Sequence, residues 1–154
     1  MSEEKRLLAV DLGVKSGLAI YGETGRLLEY RSTNFGSRAR LKKATYGVLR
    51  QVDGLAHVLA EGDTNLGELW RQDALKLGAS FELINAEIWR EDLLFKRHRR
   101  SGQDAKSRAD TLARQIIDWS GAARPTSLKH DAAEAILIGL WGVMQVGWLD
   151  DNPF

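Results

Sequence analysis

Four acids, Asp11, Glu61, Asp131 and Glu134, have the types and positions that could do chemistry in this chain. Asp11 follows the apolar run Leu7-Leu8-Ala9-Val10 and precedes a turn punctuated by Gly13 and Gly17. A charge at the end of a buried strand is costly unless a cation or a hydrogen-bond donor meets it. Three uses are open to it: capping the turn, holding a divalent metal, or standing beside a Gly-flanked turn that cradles a nucleotide phosphate. Glu61 ends the apolar run from Leu55 to Ala60, where it, like Asp63, can also cap the helix that follows. Asp131 and Glu134 stand three apart, which puts them on one face of a helix a turn apart. Acids in a first helical turn can simply complement the macrodipole. Yet both are set among Ala132, Ala133, Ala135, Ile136, Leu137 and Ile138, too apolar a context to face open water entirely.

The chemistry that needs such a set is phosphodiester hydrolysis with two metal ions. Two cations about 4 Å apart activate a water and stabilise the leaving oxygen, and several carboxylates are required to hold them. In that reading Asp11 bridges the two ions, Glu61 binds one, and Asp131 and Glu134 complete the other. Neither a serine triad nor a histidine nucleophile is called for.

The elements that must position these acids follow from periodicity. Strand patterns fall at Leu7 to Asp11, Gly17 to Tyr21 and Arg26 to Ser32, close enough for an antiparallel meander. Helical spacing over Ser37 to Asp53 is followed by a strand at Leu55 to Ala60 and a helix from Leu66 to Leu77 that stops at Gly78. Phe81 to Ile84 reads as another strand and Trp89 to Phe95 as a short helix. After a basic loop a helix runs from about Asp104 to Trp119, opened by the capping-box variant Ser101-Gly102-Gln103-Asp104. The last helix spans about His130 to Val146, and the tail from Gly147 onward is expected to be loose. The fold class expected is α/β, a mixed five-stranded sheet, its first three strands antiparallel, with helices on its faces.

At 154 residues the chain fits one domain, which is short for two nucleotide-clasping lobes and weighs against an ATPase. It has no cysteine, so thiolate sites and disulfides are excluded and a metal must be held by oxygen or by the three histidines. Neither a signal peptide nor a run of about 18 apolar residues is read, and the expectation is a cytoplasmic protein. The net charge of +1 hides an uneven distribution. Arg31 to Arg50 holds six bases and no acid, and Arg90 to Arg108 holds seven bases against three acids. After His130 only acids occur. Bases beside concentrated carboxylates suit a polyanion whose phosphates meet the former and whose reacting bond meets the latter.

Val10-Asp11-Leu12-Gly13 with Gly17-Leu18-Ala19, Ala60-Glu61-Gly62 leading into Asp73-Ala74-Leu75-Lys76-Leu77-Gly78, and His130-Asp131-Ala132-Ala133-Glu134-Ala135 resemble, in order and spacing, the RuvC-like Holliday-junction resolvases of the ribonuclease H-like superfamily. Ile88-Trp89-Arg90 through the basic loop to Lys106 is similar to the stretch before that family's penultimate helix. The resemblance implies a ribonuclease H-like fold, a homodimer, and a four-way DNA junction nicked symmetrically in recombination and repair. It also implies Mg²⁺ or Mn²⁺ as cofactor, two ions per site, on Asp11, Glu61, Asp131 and Glu134, with Lys106 the match to a catalytic-site base. The chain departs from the family twice. Glu134 stands where many relatives carry aspartate, and Gly62-Asp63-Thr64 stands where bacterial resolvases place an aromatic wedge.

The expected DNA contacts are Lys42, Lys43, Arg97, Arg99, Arg100, Lys106 and Arg108, with Trp89 and His130 as auxiliaries. His130 can adjust a metal-bound water, approach phosphate, or make a local bond. Trp89 is surrounded by bases but equally suits the core, and Trp70 reads as core. His57 reads as structural and His98 as facing phosphate. The exposed faces of the Leu66 to Leu77 helix are the expected dimer surface. Two other functions compete: a YqgF-like nuclease working on RNA, and a DNA-binding module of the same fold without turnover.

Overall fold

The computed structural model describes residues 4–93 and 102–154, with the side chains of 102–105 left out. The chain runs β1 (Arg6–Asp11), β2 (Lys15–Gly22), β3 (Leu27–Asn34), α1 (Arg38–Arg50), β4 (Leu55–Glu61), α2 (Thr64–Lys76), β5 (Ser80–Ile84), α3 (Ala86–Leu93), α4 (Gly102–Ser120) and α5 (His130–Gln145). The strands form one sheet in the order β3-β2-β1-β4-β5. β1, β2 and β3 pair antiparallel, whereas β4 and β5 join in parallel after helical crossovers. That is the mixed sheet expected from a meander followed by strand-helix-strand units.

Alternation along β1 sorts its side chains onto two cores. Leu7 and Ala9 face α3, α4 and α5, whereas Leu8 and Val10 face α1 and α2. Trp70 is fully buried on the second side, meeting Phe35 edge-on at 6.4 Å, as a core residue does. Local signals set the helix starts. Ser37 caps α1 by accepting from Arg40 N, and Asp63 caps α2 by accepting from Leu66 N at 2.9 Å. Asp63, not Glu61, therefore takes the capping duty, which leaves Glu61 free at the strand end. Ser101, the first residue of the expected capping box of α4, lies outside the described residues.

α5 is the central helix, buried from Ala132 through Val143 and packed across β1, β2 and β3. Its small residues let it lie close on the sheet. A Cβ on Gly139 would sit 2.2 Å from the Tyr21 ring, and the Tyr21 hydroxyl donates to Ile136 O at 2.5 Å. At its N-terminal end the approach is closer still, because a Cβ on Gly17 of β2 would sit 1.8 Å from Asp131 O. The expectation of a loose tail meets a different arrangement. Trp148 N donates to Val143 O at 2.9 Å, Trp148 packs against His57 at 5.5 Å, and Leu149 joins the core beside α5. Gly147, at φ +82°, makes the reversal that folds these apolar residues back. Among the described residues no helix is long and apolar enough to cross a membrane.

Candidate active site

Register builds the site. In one row across the sheet, Ser32 pairs with Gly17, Gly17 with Asp11, Asp11 with Glu61, and Glu61 with Ile84. Side chains in one lateral row share a face of the sheet, here the face that α5 covers. Asp11 and Glu61 are thus neighbours on adjacent parallel strands, close enough for their carboxyl groups to share a hydrogen bond. The missing side chain of Gly17 is the gap into which the first turn of α5 descends, setting Asp131 one strand away from Asp11. Glu134 follows one turn later and is 6% exposed.

The sequence-predicted carboxylates Asp11, Glu61, Asp131 and Glu134 therefore meet at one end of the sheet, and they repel one another. Burial first, then the charges of Glu61, Glu134 and Asp131, push the Asp11 carboxyl up from 3.8 to about 8. Burial and Glu134 likewise raise Glu61, against the opposing pull of Arg90. At neutral pH Asp11 thus carries a proton, which it shares toward Glu61. The crowded donor set is all oxygen, which fits a hard divalent ion.

The acids are otherwise partnered by the protein. Arg90 Nη2 donates to Glu134 Oε1 at 3.1 Å, and His130 Nε2 lies 3.1 Å from the same oxygen. Asp131 Oδ2 accepts from Ser32 Oγ at 2.9 Å and its Oδ1 from Ala132 N at 2.8 Å. With Glu134 and Asp131 so engaged, no three His, Asp or Glu groups among the described residues converge at the spacing of a closed metal site. The acids share a field without enclosing a point.

Of the remaining site residues, Lys106 is exposed on the first turns of α4, Arg108 is half-buried on the same helix, and Lys42 and Lys43 are exposed on α1. Arg97, Arg99 and Arg100 lie outside the described residues, as does His98. Trp89 requires correction. It is fully buried in the core between α3 and α5, with the Arg90 guanidinium 5.0 Å from its ring centre, so it faces no nucleic acid. Helical spacing from Trp89 to Leu93, also buried, gives the reason: the pair forms the apolar stripe of α3. His130 makes the local bond, to Glu134. His57 lies with Nδ1 2.6 Å from Ser80 Oγ, away from the acids and beside Trp148.

Two further residues of the site have no distinct mark in the sequence. Ser32 ends a strand pattern and carries no signal of its own, although an antiparallel register through Gly17 would place it opposite Asp11. Arg90 reads there as one member of a basic run rather than as the counter-charge of Glu134.

Neither a protein-family model nor a curated protein matches the sequence. Among solved structures, Thermus thermophilus RuvC in complex with a Holliday-junction substrate superposes with a TM-score of 0.63 over 97% of this chain and 99% of that one, at 16% identity. The fold is RuvC-type and ribonuclease H-like. A simian T-cell lymphotropic virus intasome in complex with the regulatory subunit B56 gamma of PP2A also matches, over 92% of this chain and 48% of that one, at 7% identity and a TM-score of 0.35.

Proposed function

We propose that the chain is a metal-dependent endonuclease that cuts branched DNA, of which the four-way junction is the type substrate. The carrying observation is the row Ser32-Gly17-Asp11-Glu61, over which α5 brings Asp131 and Glu134 to the same end of the sheet. Support also comes from the near-complete superposition on a RuvC that is bound to a Holliday junction.

Asp11, Glu61, Asp131 and Glu134 would hold two Mg²⁺ or Mn²⁺ ions. When bound, such a pair supplies an activated water and a stabilised leaving oxygen for phosphodiester hydrolysis. The rest falls to the chain's own groups. Asp11 must give up its proton before it can serve as a ligand, so loading is favoured as pH rises. Ser32 Oγ and Ala132 N fix the Asp131 carboxylate. Arg90 pairs with Glu134 Oε1, which His130 Nε2 also approaches, and Oε2 would be the oxygen offered to a cation. Lys106 is the proposed catalytic-site base, and Arg97, Arg99, Arg100, Arg108, Lys42 and Lys43 the proposed phosphate contacts. A homodimer would present two such sites to the two strands of a junction.

A second reading, cleavage of structured RNA, shares the opening Asp11-Leu12-Gly13 element, and one observation weakens junction specificity. Where the resolvases place an aromatic wedge this chain has Gly62-Asp63-Thr64, and Asp63 is spent on capping α2. One assay separates the readings. The protein is incubated with a labelled four-way junction, a linear duplex and a structured RNA, each with Mg²⁺ and with EDTA. Paired nicks confined to the junction are expected. Cleavage of the RNA alone would move the substrate, and binding without any cutting would reduce the chain to a DNA-binding module.

A further inference from the structure

Beside the acids, an open cavity of about 480 Å³ lies between β3 and the segment that joins α4 to α5. β3 is an end strand of the sheet, so this wall is an edge with backbone groups turned outward. Arg31, Arg124 and Lys129 line the cavity against a single acid, Glu29, and all three bases are exposed. Arg124 also pairs with Asp118 at 3.2 Å, but with 83% and 59% of the two side chains exposed, water and salt compete readily for that pairing. Tyr30 stands in the same wall, and its hydroxyl donates to Ala123 O, which pins the ring between strand and loop. At the inner end the lining includes Ser32, whose hydroxyl holds Asp131. The cavity therefore opens onto the carboxylates.

We propose that this cavity is the path of one unpaired strand of the substrate nucleic acid. Arg31, Arg124 and Lys129 meet its phosphates, Tyr30 stacks on a base, and the strand runs inward to the cut. The direction of the strand rests on the nuclease reading, whereas its binding does not. A basic rim with an aromatic ring in the wall is the combination that holds single strands without reading their sequence. The cleft is open to solvent along the edge strand. Its openness suits a chain that enters and leaves rather than a small molecule that is enclosed.

The test is fluorescence anisotropy of a short labelled oligothymidylate, titrated with the full chain in EDTA at several salt concentrations. Arg31→Gln with Arg124→Gln should weaken binding and make the salt dependence shallower by roughly 1.4, at about 0.7 for each single-strand phosphate that no longer meets a base. Tyr30→Leu should weaken binding by at least roughly fivefold, and Tyr30→Phe should keep it, because the ring and not the hydroxyl meets the base. Thermal melts check that each variant folds, and the exposed arginine pair carries the test if Tyr30→Leu does not. Failure of the wild type to bind, or unchanged affinity and salt slope in the arginine pair, overturns the proposal. So does equal competition by thymidine monophosphate, which marks a mononucleotide pocket. Because EDTA removes catalysis from the readout, the two readings fail separately. Oligonucleotide binding through these residues with no cutting in Mg²⁺ ends the nuclease reading alone, and junction cutting with unaffected groove variants ends this one alone.

Discussion

Adding one methyl group at Gly17 should damage the active site without touching an acid. A Cβ there would lie 1.8 Å from Asp131 O, 2.2 Å from Asp131 C and 2.8 Å from Ala132 N, all of them backbone atoms, which cannot swing aside. Real Cβ atoms essentially never come within 3.0 Å of another heavy atom, so the first turn of α5 must lift by more than 1 Å. Gly17 has no positive φ, so the penalty is steric and not conformational. Overpacking of this kind costs about 1–3 kcal/mol, which lowers Tm by roughly 2–4 °C per kcal/mol in a domain of this size. The larger effect is on chemistry, because Asp131 rides on the displaced turn, and a misplacement of about 1 Å costs on the order of 10²-fold in rate. Gly17→Ala is therefore expected to melt lower and to nick a labelled junction on the order of a hundred times more slowly, while binding it in EDTA nearly as well. Gly47→Ala is the control. Nothing lies within 4 Å of the added Cβ there, and in the interior of α1 the change should stabilise by about 0.5–1 kcal/mol. A Gly17→Ala protein with the wild-type melting point and nicking rate would refute the placement of α5 over the Asp11 row.

Asp11→Asn should abolish cutting with junction binding retained. In metal-free protein, folding raises the Asp11 value from 3.8 to about 8, so the folded state holds that proton more tightly than the unfolded one. Stability should fall as pH rises from about 4 to about 8 and then level off, and Asp11→Asn should flatten that decline in thermal melts. Added Mg²⁺ should raise the wild-type melting point most at the alkaline end of the window. Arg90→Ala removes the guanidinium that pairs with Glu134, 7% exposed at its side chain, and leaves that carboxylate beside His130. It should cost about 1–3 kcal/mol in metal-free chemical denaturation, a deficit that Mg²⁺ partly restores. Trp89→Phe should lower stability and leave the affinity for DNA and its salt dependence unchanged, whereas a drop in affinity at constant folding would return Trp89 to the DNA surface.

The architecture was legible because each element carries its own period and its own stop. Val10-Asp11 followed by Gly13 and Gly17 announced a hairpin, Gly78 ended α2, and the alternation in β1 is the alternation of its two cores. Asp11 and Glu61 were legible because a charge after an apolar run marks a strand end, and parallel pairing sets such ends side by side. Interactions made only by tertiary packing left no local trace. Ser32 reaches Asp131 through a register that runs across two strand pairs, and Arg90 reaches Glu134 across 44 residues. Trp89 was open to a surface reading because a basic run follows it in sequence, whereas its burial comes from tertiary packing of α3 in the core that α5 shares. Trp148 and Leu149 fold back on Gly147, a reversal that a tail reading misses when apolar residues after a glycine are taken as the end of order rather than as a cap.

Diffraction from crystals grown with Mn²⁺, collected at the manganese edge, addresses the central claim most directly. Two anomalous peaks about 4 Å apart are expected among Asp11, Glu61, Asp131 and Glu134. Density showing no ion between Asp11 and Glu61 would contradict it.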